Sequence, residues 1–231
     1  MKKMMVALLA GAMLTLTAGL ASAVSITYEK SILGNEFRSI YDGQVGFQTE
    51  TFENATVGQV APAITGLLWN WDINATIKQG DQSQNAAPFG VSADDATKYI
   101  SVPNPNQSGT STVTNLGADY NYFRLWWGSK DSYNSLSFFN DNVLVYSVTG
   151  NALPTPSLAN GNQGAPSDNL FVNFRDFGVF DSFAMTSGNY AFEVDNITVG
   201  NVVPEPGTMM LLGIGLGGLA IFGKRRMNKE A

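Results

Sequence analysis

From Trp69 to Lys78 the chain alternates apolar and polar side chains for ten residues without a lapse. Trp69, Trp71, Ile73, Ala75 and Ile77 fall on one face, and Asn70, Asp72, Asn74, Thr76 and Lys78 on the other. Only an extended chain sends successive side chains to opposite sides, so the pattern predicts a strand with one face buried and one wet. Tyr120–Trp127 is apolar on both faces apart from Asn121 and Arg124, which predicts a more central strand. Ser135–Phe139 and Val143–Thr149 flank Asn140-Asp141-Asn142, the pattern of a hairpin with a three-residue loop. Ser25–Tyr28, Gly46–Glu53, Leu170–Phe177 and Tyr190–Val199 supply further strands. Only Ala93–Tyr99, with Ser92 as its N-cap, has helical character, and Val102–Gly109 and Gly150–Asp168 are expected as loops. About eight to ten strands at this spacing predict an all-β fold, an antiparallel sandwich of jelly-roll type, with a closed barrel as the alternative.

The register of the last strand changes midway. Tyr190, Phe192 and Val194 share one parity, while Ile197 and Val199 have the other. One extra residue near Asp195-Asn196 would turn all five inward, so a β-bulge is expected there.

Two apolar segments bracket this domain. Lys2 and Lys3, the apolar run Val6–Leu20, and Ala21-Ser22-Ala23 form the three parts of a secretory signal peptide, with cleavage after Ala23. At the other end Pro204-Glu205-Pro206-Gly207 precedes an uncharged run and then Lys224, Arg225 and Arg226. Pro204 and Pro206 bar a helix from extending backwards, leaving Glu205 in an extended, accessible stretch. Residues 207–223 are expected to form one transmembrane helix of about 25 Å, a marginal span against the ~30 Å hydrocarbon core. The cations of the tip, residues 224–229, would stop transfer and stay cytoplasmic. The domain boundaries are therefore 1–23, 24–203 and 204–231.

The exported 24–203 region holds 17 of the 19 acidic residues and 7 of the 13 basic ones, a net charge of −10. Such a domain repels phosphate backbones, which argues against nucleic-acid partners. The chain has no cysteine and no histidine. That removes disulfides, Ser-His-Asp and Cys-His nucleophiles, and the usual zinc and haem ligation. Carboxylate chemistry and oxygen-ligand metals survive, and nothing in the sequence raises a catalytic set, so a non-catalytic protein is expected.

The ordered Pro-Glu-Pro motif, apolar run and basic tip resemble the PEP-CTERM sorting signal. That resemblance implies recognition by an exosortase, a Gram-negative envelope, and a setting of exopolysaccharide or biofilm production. It implies a precursor tethered in the inner membrane and then delivered to the cell surface or matrix, with signal peptidase and exosortase as processing partners. The run Phe123–Phe138 resembles the Tyr-Trp-Gly-Ser-x-Asp-Ser-Tyr-Asn-x-Leu segment of exosortase-dependent surface proteins, with Trp126 in place of the Tyr. Its likeness implies a shared β-sandwich and carries no catalytic role. The expected function is structural or adhesive; the alternative is a displayed carbohydrate-binding module.

Two further candidate sites follow. Trp126 and Trp127 are adjacent, so in a strand their indoles face opposite sides, and one of them is a candidate platform for stacking sugar rings. Phe192–Val199 is similar to the Asp-Asn-Ile terminal strand of carbohydrate-binding jelly rolls. That similarity implies a structural calcium ion held by Asp195 with an early carboxylate, here Glu53.

Overall fold

The computed structural model describes residues 24–30, 39–88, 97–155 and 159–202, together with Gly215. Twelve strands run in the order β1 (Ser25–Lys30), β2 (Phe47–Glu50), β3 (Asn70–Trp71), β4 (Thr76–Gln79), β5 (Lys98–Val102) and β6 (Gly109–Thr114). They continue as β7 (Tyr120–Gly128), β8 (Asn134–Asn140), β9 (Val143–Thr149), β10 (Leu170–Phe180), β11 (Ser182–Ser187) and β12 (Phe192–Gly200). They pair antiparallel in two sheets. The seven-stranded sheet is ordered β1-β10-β7-β12-β5-β4, with β2 also on β12, and the five-stranded sheet β3-β6-β11-β8-β9.

Two separate sheets, and not a closed barrel, are what the described strands form. Their inner faces meet through aromatic rings. Phe123 of the larger sheet lies edge-on to Phe138 and to Phe183 of the smaller, each at 4.9 Å between centroids. Phe174, Phe177 and Phe180 close around Phe138, and all of these rings are buried. Edge-to-face packing of this kind contributes beyond the area it removes from water.

β7 is the central strand that its two-sided apolar pattern predicts, lying between β10 and β12. The expected bulge in β12 is present. Asp195 pairs with Trp126 and Thr198 with Arg124, so β12 carries one residue more than β7 across that step. Asn196 takes φ 49° there. Phe192, Val194, Ile197 and Val199 consequently all enter the core. β5 pairs with β12 before the bulge and β2 pairs with it after, so the kink also divides one edge between two short strands.

Three expectations are corrected. The Trp69–Lys78 alternation is not one strand: β3 belongs to the smaller sheet and β4 to the larger, and the chain crosses between them. At the crossing Asn74 adopts φ 59° and Ile73 is 61 % exposed, while Trp69, Trp71, Ala75 and Ile77 stay buried. The hairpin loop has two residues, not three. Asn140 pairs directly with Val143, and Asp141 and Asn142 both have positive φ (49° and 63°), the signature of a type I′ turn. An irregularity between Phe138 and Phe139 accounts for the shifted register. Finally, Lys98 and Tyr99 of the expected helix belong to β5, and its residues 93–96 lie outside the described residues.

Among the described residues no helix is long and apolar enough to cross a membrane. The expected span at 207–223 lies outside them except for Gly215.

Candidate functional site

β7 ends at Gly128, where a Cβ would stand 3.1 Å from Pro88 Cα, so a larger residue there would push Pro88 back by a few tenths of an ångström. Ser129 then takes φ 32° and turns the chain out of the sheet. Its N–H donates to Asn169 Oδ1 (2.9 Å) and its hydroxyl to Glu193 Oε2 (3.1 Å). Lys130 points elsewhere: its fully buried side chain ends on Thr155 Oγ1 (3.0 Å). Burial pushes the Lys130 ammonium below its usual range, and the Asp168 carboxylate opposes that. The Lys130 backbone is held between Asp168 O (2.7 Å) and Gly161 N (3.0 Å).

This anchoring carries Asp131, Tyr133 and Asn134 to one place. Asp131 bridges Asn160 of the neighbouring loop, and Gly161 there comes so near that a Cβ would stand 2.5 Å from Asp131 Oδ1. Tyr133 donates its hydroxyl to Tyr190 O (3.0 Å). Buried Asn134 donates to Ala191 O (3.1 Å) and accepts from Ser187 Oγ (2.5 Å), tying the turn to the entry of β12.

Glu193, on β12, forms the floor. It is 2 % exposed, and its carboxyl accepts from Ala86 N (3.3 Å) as well as from Ser129. Burial pushes it up to about 8, against the pull of those hydrogen bonds and with a further rise from the Asp131 charge. Burial also raises Asp131, helped by Asp168 and opposed by Tyr133. The Tyr133 phenol is raised in turn by burial, by its interaction with Asp131 and by the charge of Glu193. Together Ser129, Asp131, Tyr133 and Glu193 wall a pocket of about 330 Å³. The amides of Gln84, Asn160, Gln163 and Asn189 stand around it, and among the described residues neither lysine nor arginine lines it.

The sequence-predicted sites fare differently. Trp126 and Trp127 are both fully buried, which overturns the sugar-stacking role. They do face opposite sides of β7, but each side is covered: Trp126 stacks on Phe171 at 4.9 Å and Trp127 on Phe192 at 4.3 Å. Glu53 is exposed and spends Oε1 on Lys98 N (2.8 Å). Asp195 is buried in the bulge, with Oδ1 accepting from Asn196 N (2.6 Å). Among the described residues no three His, Cys, Asp or Glu side chains gather as metal ligands. The early carboxylate that does sit beneath β12 is Glu50, opposite Ile197, which accepts from Phe52 N (2.8 Å) and Leu68 N (2.6 Å). Burial raises it above the usual carboxylate range. Ala21, Ala23, Pro204–Gly207 and Lys224–Arg226 lie outside the described residues.

The family model of the PEP-CTERM protein-sorting motif matches residues 202–226, so the C-terminal segment carries that sorting signal. No curated protein matches the sequence. Among solved structures, the chain is similar to the K2 cleaved adhesin domain of Lys-gingipain, at 12 % identity and a TM-score of 0.31. The alignment covers 66 % of this chain and 97 % of that one, a likeness too slight to carry an argument.

Proposed function

We propose that this protein is an exported, non-catalytic component of the cell surface or extracellular matrix, displayed as a jelly-roll-type sandwich and sorted by an exosortase. The sorting motif at residues 202–226 is the observation that carries this reading. In it, signal peptidase cuts after Ala23, and the helix at about 207–223 holds the precursor in the inner membrane until the exosortase acts near Pro204-Glu205-Pro206. The role after delivery is structural or adhesive, in an envelope that builds exopolysaccharide. The chemistry of the chain supports the non-catalytic part: it lacks the histidine and cysteine that most nucleophilic mechanisms need, and the side chains of Ser129 and Lys130 run to different partners.

Intact mass of the protein isolated from its native cells tests the sorting. The expected species begins at Val24 and ends near Pro204–Gly207, with or without an added group. A species running from Val24 through Ala231 would mean that the tail is a permanent anchor, and the exosortase reading would fail.

A further inference from the structure

We infer that the pocket between Ser129, Asp131, Tyr133 and Glu193 binds a neutral sugar. This goes beyond the sorting reading and does not rest on it. The cavity, about 330 Å³, lies at the small end of the range for small-molecule sites, roughly 300–1,000 Å³. A compact ligand fits there; a long peptide does not.

The lining selects among compact ligands. Side-chain amides offer a donor and an acceptor each, a carboxylate offers acceptors, and a hydroxyl offers both. Gln84, Gln163, Asp131 and Ser129 therefore present the mixed set that vicinal sugar hydroxyls require, since each hydroxyl both gives and takes a hydrogen bond. Tyr133 and Tyr190 complete the lining. Among the described residues an anionic ligand has no lysine or arginine in the lining to meet it, and the Asp131 carboxylate opposes it. A calcium ion is equally ill served. It needs about six to eight oxygen ligands, whereas both Glu193 oxygens already accept hydrogen bonds, and no third carboxylate joins these two as a metal-holding group among the described residues.

The groups are also fixed in advance. Glu193 is pinned by Ala86 and Ser129 and Tyr133 by the Tyr190 carbonyl, while the backbone of Asp131 is held by its bridge to Asn160. Glu193 and Tyr133 therefore have little side-chain freedom left to lose on binding, and that preorganisation is what makes a small contact area useful. The wall around Asp131 depends on Gly161, because a methyl group there would displace the carboxylate.

The test uses the full chain in mild detergent on an array of neutral and anionic oligosaccharides, followed by calorimetry with the best-bound sugar and, separately, with calcium chloride. Neutral sugars containing glucose, galactose, mannose or N-acetylhexosamine are expected to bind, and anionic ones are not. Asp131→Asn should weaken binding about tenfold or more, the scale of one hydrogen bond to a charged group. The double variant Gln84→Ala/Gln163→Ala changes only exposed side chains at the mouth and should weaken binding with an unchanged melting temperature, which guards against misfolding of the first variant. The inference is overturned if no neutral sugar binds, if binding survives the mouth variant, or if calcium chloride alone gives heat that Asp131→Asn removes. None of these results changes the mass of the processed protein, so sorting and binding fail separately.

Discussion

Replacing Glu193 by Gln should flatten the dependence of stability on pH. The folded protein holds this carboxyl at about 8, against the ordinary 4.5, because burial penalises its charge. At about 1.36 kcal/mol per pKa unit, that displacement amounts to roughly 5 kcal/mol. Between those two values the folded chain keeps the Glu193 proton while the unfolded chain releases it. Stability that is fully present below pH 4.5 is therefore lost as pH rises, and the loss is complete a little above 8. Glutamine has nearly the same shape, can still accept from Ala86 N and can donate to Ser129 Oγ, so the variant should fold.

The assay is urea unfolding of the full chain in mild detergent at pH 5 and pH 8.5, followed by tryptophan fluorescence. All four tryptophans are buried, so the signal reports the sandwich. Glu50 and Asp131 are raised in the same direction and Lys130 is lowered, and these shifts act in both proteins. The difference between the two slopes therefore reports Glu193 together with its coupling to Asp131. The wild type should lose several kcal/mol more than Glu193→Gln over this interval, on the order of 2 M in urea midpoint for a slope near 2–3 kcal/mol/M. Equal pH dependence in the two proteins would refute the reasoning, because the buried carboxyl would then carry no special protonation cost.

Two further predictions probe the frame. Phe138→Ala removes a ring that four other phenylalanines and Tyr146 surround, and should cost about 3–5 kcal/mol in denaturant unfolding; a loss under 1 kcal/mol would mean that the two sheets do not meet there. Asn142 holds φ 63° at an exposed turn, so Asn142→Val should cost about 1–2 kcal/mol whereas Asn142→Gly should not, and equal melting temperatures for the two would exclude the type I′ turn.

Several elements were legible because their cause is local. The change of parity between Val194 and Ile197 demands one extra residue, and the chain supplies it at Asn196, a residue type that tolerates positive φ. Other elements were hidden where local pattern and tertiary role diverge. β6 reads as a polar Thr/Ser run, yet Ser111 is fully buried because its hydroxyl donates to Asp72 Oδ1 (3.0 Å). β11 buries Phe183, Ala184 and Met185 in succession, which leaves no alternation to detect. The Trp69–Lys78 pattern misleads in the opposite way: apolar residues can keep their period while the backbone passes from one sheet to the other, since both sheets border the same core.

The site divides along the same line. Adjacent residues on β7 do face opposite sides, so the parity argument for Trp126 and Trp127 was sound; it failed on the premise that one side met water. What the run after Trp127 builds is a set of backbone anchors: a positive-φ serine, a lysine pinned through its own amide and carbonyl, and an asparagine whose side chain spans two strands. Those anchors gain their chemistry from Glu193, 64 residues beyond Ser129, and from the loop at Asn160 and Gly161. No spacing rule links these positions. The order β7-β12 in the sheet does, because it sets Gly128 opposite Glu193 and so places that carboxyl against the turn that receives it.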